Sequence, residues 1–99
     1  MGNDEGNAIR EMAKHDYKYR FGISDEALEI LGSMPKSRRQ QIGYAMDGLQ
    51  RAFRGDIKKL KGYDDRYRLR VGDFRVFFKL VKDEIQVYDI ADRKDAYGN

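Results

Sequence analysis

Five cations recur at spaced positions between residues 66 and 80. Arg66, Arg68 and Arg70 precede a Gly72-Asp73 pair, and Arg75 and Lys79 follow it. Arginine stays protonated across the physiological range and presents a planar fork of donors that matches a phosphate. Such side chains, held close together, bind a phosphodiester and stabilise the charge that develops on it in a transition state. Gly72-Asp73 suits a two-residue hairpin turn, because glycine accepts a positive φ. With that turn, Val71 pairs with Phe74, Leu69 with Val76 and Tyr67 with Phe78. One face of the hairpin is then apolar and belongs to a core, while the other carries the cations with Phe77 among them. Arg70 faces Arg75 directly, and like charges across a strand pair are destabilising. An anionic ligand explains a face loaded in this way, and nucleic acid is the leading candidate.

The charge map points the same way. Residues 51–82 hold eleven Lys/Arg against four Asp, a net +7, whereas residues 1–50 carry −1 and residues 83–99 carry −3. A patch of that kind attracts phosphates and steers their approach. Lys58, Lys59 and Lys61 in this block suit contacts with a nucleic-acid backbone that carry no sequence information, alongside Arg66, Phe77 and Lys79 on the hairpin, or else stand on a solvated loop. The chain has no cysteine and one histidine, His15, which excludes disulfides, a thiolate zinc site and a His-rich metal site, and no metal or cofactor is expected. No apolar run approaches the roughly 18 residues that span a bilayer. The N-terminus is polar and mixed in charge, unlike a secretory signal, so the expected compartment is the cytoplasm and no membrane partner is expected.

The elements that must position these side chains follow from periodicity. Residues 1–16 lack a clear period and read as a flexible tail, leaving 17–99 as a single domain. Tyr17–Ile23 alternates aromatic and basic residues as a strand does. Ser24 can cap a helix with Asp25 and Glu26 in its first turn. Gly32-Ser33 breaks it and Pro35 can start a second helix, whose core stripe is Ile42, Ala45, Met46, Leu49 and Phe53. Gly55–Asp65 reads as a loop, the hairpin follows, Lys82-Asp83 marks the next turn, and Glu84–Ile90 is the last strand. On the open face, Phe77 can meet Tyr88. The fold class is therefore α+β: an N-terminal strand, two helices, then a three-stranded antiparallel meander, with the helices packed on one face of a mostly antiparallel sheet.

From Tyr17 to Tyr97 the sequence resembles the type II toxin superfamily that contains RelE and ParE. The likeness is strongest over GDIKKLKGYDDRYRLRVGDFRVFFKL and the closing ADRKDAY. The resemblance implies a toxin held inactive by a cognate antitoxin. Members of the RelE branch are ribosome-dependent endoribonucleases that enter the A site, cut mRNA and inhibit translation. The ParE branch shares the fold, poisons DNA gyrase and generally lacks the basic catalytic set. Carried over by motif, that set is Arg68, Arg70, Arg75, Arg93 and Tyr97, and the retained Arg93 and Tyr97 favour the ribonuclease branch. Many relatives have histidine where this chain has Asp92, and the type member lacks it too.

Cleavage of this kind, without a metal, proceeds by attack of the 2′-OH on the adjacent phosphate. It needs a base for that hydroxyl, cations for the phosphoryl oxygens and an acid for the leaving oxygen. The arginines suit the cationic role, with Arg75 as the main clamp. Asp92 and Tyr97 remain as the alternatives for acid and base. Tyr97 can instead stack on a nucleobase. A ribosome that orients the RNA supplies rate through positioning.

Overall fold

A computed structural model describes residues 17–92. In chain order the elements are β1 (Arg20–Ile23), α1 (Asp25–Gly32), α2 (Lys36–Ala52), β2 (Asp56–Lys59), β3 (Arg66–Val71), β4 (Phe74–Val81) and β5 (Glu84–Asp92). The strands form one five-stranded sheet in the order β1-β5-β4-β3-β2. Strands β2 to β5 pair antiparallel, and β1 joins β5 in parallel. Helix α1 lies against β5 and α2 against β3. The expected α+β class, with two helices on a mostly antiparallel sheet, holds.

Local chemistry explains the helix boundaries. The Ser24 hydroxyl accepts from the Ala27 N–H at 3.1 Å, satisfying one of the unpaired donors at the start of α1. Asp25 and Glu26 place negative charge at the positive end of that helix. Pro35 immediately precedes α2, where its missing N–H costs no helical hydrogen bond. Helix α2 ends at Phe53, which takes a left-handed φ of 54°. The Phe53 and Arg54 N–H groups fold back to Leu49 O and Gly48 O at 2.8 and 3.2 Å. A non-glycine residue there is strained, and ring packing offsets it: the Phe53 ring lies 5.5, 5.6 and 5.9 Å from those of Tyr67, Tyr19 and Phe78.

The core sits between helices and sheet. Ala27, Ile42 and Leu49 from the helices meet Leu69, Val71, Val76, Phe78, Ile85, Val87 and Ile90 from the strands. The β3–β4 register has Val71 opposite Phe74, Leu69 opposite Val76, Tyr67 opposite Phe78 and Arg70 opposite Arg75, as the turn residues predict. Gly72 has φ 58°, and a Cβ there would meet the Gln41 side chain at 3.0 Å.

Three expectations change. The segment expected as a loop over Gly55–Asp65 contains β2, so the meander has four antiparallel strands rather than three. At four residues with one half-buried apolar side chain, Ile57, β2 is too short to show a period. Gly55 opens it with φ 133°, and a Cβ there would fall 2.6 Å from Leu69 Cδ1, so only glycine fits. The first strand is shorter than Tyr17–Ile23, because the N–H groups of Lys18 and Tyr19 instead go to Gln50 O at 3.2 Å each. Finally, β5 runs through Asp92 and carries a bulge. Phe77 is opposite Asp89 and Phe78 is opposite Val87, leaving Tyr88 unmatched. The extra residue resets the alternation, so that Ile85, Val87 and Ile90 all reach the core.

Candidate nucleic-acid interface

The face of the sheet away from the helices is built from the alternate residues of β2, β3 and β4. Lys58 stands opposite Arg68, and Arg68 opposite Phe77, forming one row across three strands. Asp56, Arg70 and Arg75 form the next row. Together with the chain leaving β2, the first row encloses a cleft of about 370 Å³ lined by Lys58, Lys59, Leu60, Lys61, Arg68, Arg75 and Phe77. Five of these seven are cations and none is acidic. A cleft so lined, with one side closed by low-dielectric protein, concentrates positive potential and suits a phosphate.

The cations within it are unequal. Arg75 is 7% exposed, the one charged residue counted among the buried set of described residues. The Arg68 side chain is 17% exposed, and its Nη2 lies 3.6 Å from Asp56 Oδ1. Arg68 Nε is buried and has no hydrogen-bond partner among the described residues. A buried donor left unmade costs about 1–3 kcal/mol, which a bound phosphoryl oxygen would recover. Arg70 is half exposed, with its Nε 3.9 Å from Asp56 Oδ2. Asp56 is thus the shared counter-ion of two arginines, at distances too long for strong hydrogen bonds.

Six of the residues expected to do chemistry or bind RNA, namely Lys58, Lys59, Lys61, Arg68, Arg75 and Phe77, share this cleft. Arg70 lies beside it, opposite Arg75. Lys79 lines a second hollow of about 340 Å³ with Gly22, Ile23, Ser24, Glu84, Gln86, Val87 and Tyr88. Arg66 sits between two tyrosines, with its guanidinium carbon 4.4 Å from the ring centre of Tyr63 and 5.4 Å from that of Tyr88. Asp92 ends β5 opposite Phe74 and does not line the cleft. Arg93 and Tyr97 lie outside the described residues, as do residues 1–16 with His15. Sequence reasoning missed Asp56, because β2 was unseen, and Tyr63, which stands in the loop before β3. The Phe77–Tyr88 contact is present, with ring centres 6.4 Å apart. Among the described residues, no helix is long and apolar enough to cross a membrane.

Known proteins share both the sequence and the fold. No family model matches the chain. The RelE1 protein of Methanocaldococcus jannaschii, a toxin by assignment, is 32% identical over 88 residues, spanning 83% of this chain and 98% of its own. The toxin of a RelB–RelE antitoxin–toxin complex from Methanococcus jannaschii superposes with a TM-score of 0.65 at 26% identity, covering 78% of this chain and 95% of that one. An archaeal RelE–RelB complex from Pyrococcus horikoshii OT3 gives 0.66 at 27% identity, covering 77% and 96%. A likeness of this extent in sequence, together with the same arrangement of helices and sheet, establishes that the chain belongs to the RelE family of toxins.

Proposed function

We propose that this toxin is a ribosome-dependent endoribonuclease that cuts mRNA by attack of the 2′-OH on the adjacent phosphate and so inhibits translation. The observation that carries this reading is the convergence of Lys58, Lys59, Lys61, Arg68 and Arg75 on one cleft that no acid lines among the described residues. Arg75 and Arg68, the two least exposed, clamp the scissile phosphate and stabilise its developing charge. The three lysines guide the flanking backbone. Ala91 is the register partner of Arg75, so β5 ends beside the clamp, with Asp92, Arg93 and Tyr97 following in sequence. In this reading Arg93 adds a cation, and Asp92 or Tyr97 handles the proton transfers. The compartment is then the cytoplasm, where ribosomes are.

The second partner is a cognate antitoxin, a reading supported by the solved RelE relatives that are complexes with RelB. An acidic segment of it suits the +7 block, and its affinity should weaken as salt rises.

The test is 5′-end mapping of a short mRNA on programmed ribosomes with wild-type protein and with Arg75→Ala. Cuts at A-site codons by the wild type alone are expected. Intact mRNA with both proteins, in a preparation that still arrests growth, would overturn the reading in favour of a ParE-like toxin that poisons DNA gyrase.

A further inference from the structure

The cationic cleft and the second hollow are separated by a ridge. Phe77 lines the first and Tyr88 lines the second, and their rings are 6.4 Å apart with a 34° tilt. Tyr88 is the bulged residue of β5, the one residue of that strand segment with no opposite number on β4. Bulges are concentrated beside functional sites, where they re-aim a side chain. Beyond the ridge, the Arg66 guanidinium lies between the rings of Tyr88 and Tyr63. Tyr63 is 48% exposed, so the outer end of this stack is open. The core does not need these rings: Phe53, Tyr67 and Phe78 form a separate aromatic cluster on the helix side of the sheet.

We infer that Tyr63, Arg66, Tyr88 and Phe77 form a stacking platform for the bases of single-stranded RNA whose phosphates occupy the adjoining cleft. This rests on the ribonuclease reading for the identity of the RNA, but base stacking is separable from phosphate binding. Unpaired bases stack on aromatic faces, and the Arg66 guanidinium, lying against both Tyr63 and Tyr88, braces those rings in one row. Geometry fits the covalent connection. From Arg68 on β3 to Tyr88 on β5 is two strand spacings, about 10 Å, a distance that one or two nucleotides of extended strand bridge. Duplex RNA keeps its bases stacked inside, so the platform selects single strands. Tyr88 is the central member, because it touches both Phe77 and Arg66.

The test uses the full chain and a single-stranded RNA hexamer carrying a central 2-aminopurine, whose fluorescence is quenched when it stacks, and a matched hexamer that is abasic at that position. Wild-type protein should quench the emission and bind the 2-aminopurine hexamer about 5- to 150-fold more tightly than the abasic one. Tyr88→Leu keeps an apolar side chain of similar bulk without an aromatic face; it should abolish both the quench and the preference, while Tyr88→Phe should retain them. Salt-sensitive binding of both hexamers with equal affinity and no quench would overturn the platform and leave the phosphate cleft standing. No binding of either hexamer at low salt would overturn the platform as a surface for single-stranded RNA, while the ribosome-dependent reading stands or falls on the cleavage assay. A quench preserved in Tyr88→Leu, with affinity lost only for an acidic partner protein, would make the ridge a protein contact and overturn the inference.

Discussion

Arg70 and Arg75 are register partners across the β3–β4 hairpin, yet they occupy different environments. Arg70 is half exposed and leans toward Asp56 at 3.9 Å, while Arg75 is buried at the floor of the cleft. Burial fixes the Arg75 fork, whereas Arg70 keeps its rotameric freedom. Arginine and lysine are not equivalent where a fixed planar fork meets a phosphate. Arg75→Lys should therefore lower the rate of mRNA cleavage on ribosomes about 100-fold or more, the scale of losing one transition-state donor. Arg70→Lys should change it less than about tenfold. Equal losses in the two variants would show that the buried fork has no special part.

Asp56 holds its oxygens 3.6 Å from Arg68 and 3.9 Å from Arg70 and is itself 58% exposed. With its carboxylate mostly in solvent and the contacts this long, Asp56 contributes little to stability, within about 1 kcal/mol. Its electrostatic effect on an incoming anion is larger, since it cancels part of the field that Arg68 presents. Asp56→Asn should leave the urea midpoint almost unchanged. The same variant should bind single-stranded RNA more tightly, with the slope of log affinity against log salt steeper by about 0.7. An unchanged slope would mean that Asp56 does not compete with the RNA.

The hairpin was legible in the sequence because its turn residues and its strict alternation agree on one register; Arg70 opposite Arg75 follows from Gly72-Asp73 alone. The cleft was legible only in part. Its floor, Arg68, Arg75 and Phe77, comes from the hairpin, but its wall depends on β2, whose four residues fall below the length at which alternation can be recognised. The parallel pairing of β1 with β5 joins segments more than sixty residues apart and leaves no local signature. The bulge did leave one: Ile85 and Val87 are in one phase and Ile90 in the other, a break that only an inserted residue reconciles.

That phase break makes a deletion testable. Removing Tyr88 brings Ile85, Val87 and Ile90 into unbroken alternation, so a regular strand can form with every core contact kept. Deleting Tyr88 should cost no more than about 1 kcal/mol in urea unfolding. Deleting Gln86 instead leaves Ile85 and Val87 adjacent, sends one of them to the open face, and should cost about 2–3 kcal/mol. Similar costs for the two deletions would contradict the assigned bulge.

Phe53 combines a left-handed backbone with a ring wedged between Tyr19, Tyr67 and Phe78. Phe53→Ala removes the ring and keeps the strain, so it should destabilise by about 3–4 kcal/mol. Phe53→Gly removes both. Because glycine adopts this φ freely, it should be the more stable of the two by about 0.5–1 kcal/mol, opposite to the order of helix propensities. Chemical denaturation of the two variants side by side reads this difference, and alanine proving the more stable would contradict a left-handed cap.

The segment before β1 is fastened to α2 by a three-membered contact. The Tyr17 hydroxyl donates to Asp47 Oδ1 at 2.6 Å, Arg51 Nε donates to Asp47 Oδ2 at 2.9 Å, and the Arg51 guanidinium lies 4.6 Å from the centre of the Tyr17 ring. The hydrogen bond from Tyr17, then that from Arg51, holds the Asp47 carboxyl below its ordinary 3.8. The same bond to Asp47 holds the Tyr17 hydroxyl above its ordinary 10.0. In acid the native state therefore binds fewer protons at Asp47 than the unfolded chain does, so this contribution is present above 3.8 and is lost as pH falls through the lower folded value. In alkali the native state keeps the Tyr17 proton longer, so its contribution is present below 10.0 and is lost as pH rises through the higher folded value. Asp47 and Arg51 are each more than a third exposed, which limits the whole effect to about 0.5–1 kcal/mol. The stability gap between wild type and Asp47→Ala, measured by urea unfolding, should be widest between about pH 5 and pH 9 and close toward both extremes. A gap that stays constant from acid to alkali would mean that Tyr17 and Asp47 do not hold each other's protonation states in the folded chain.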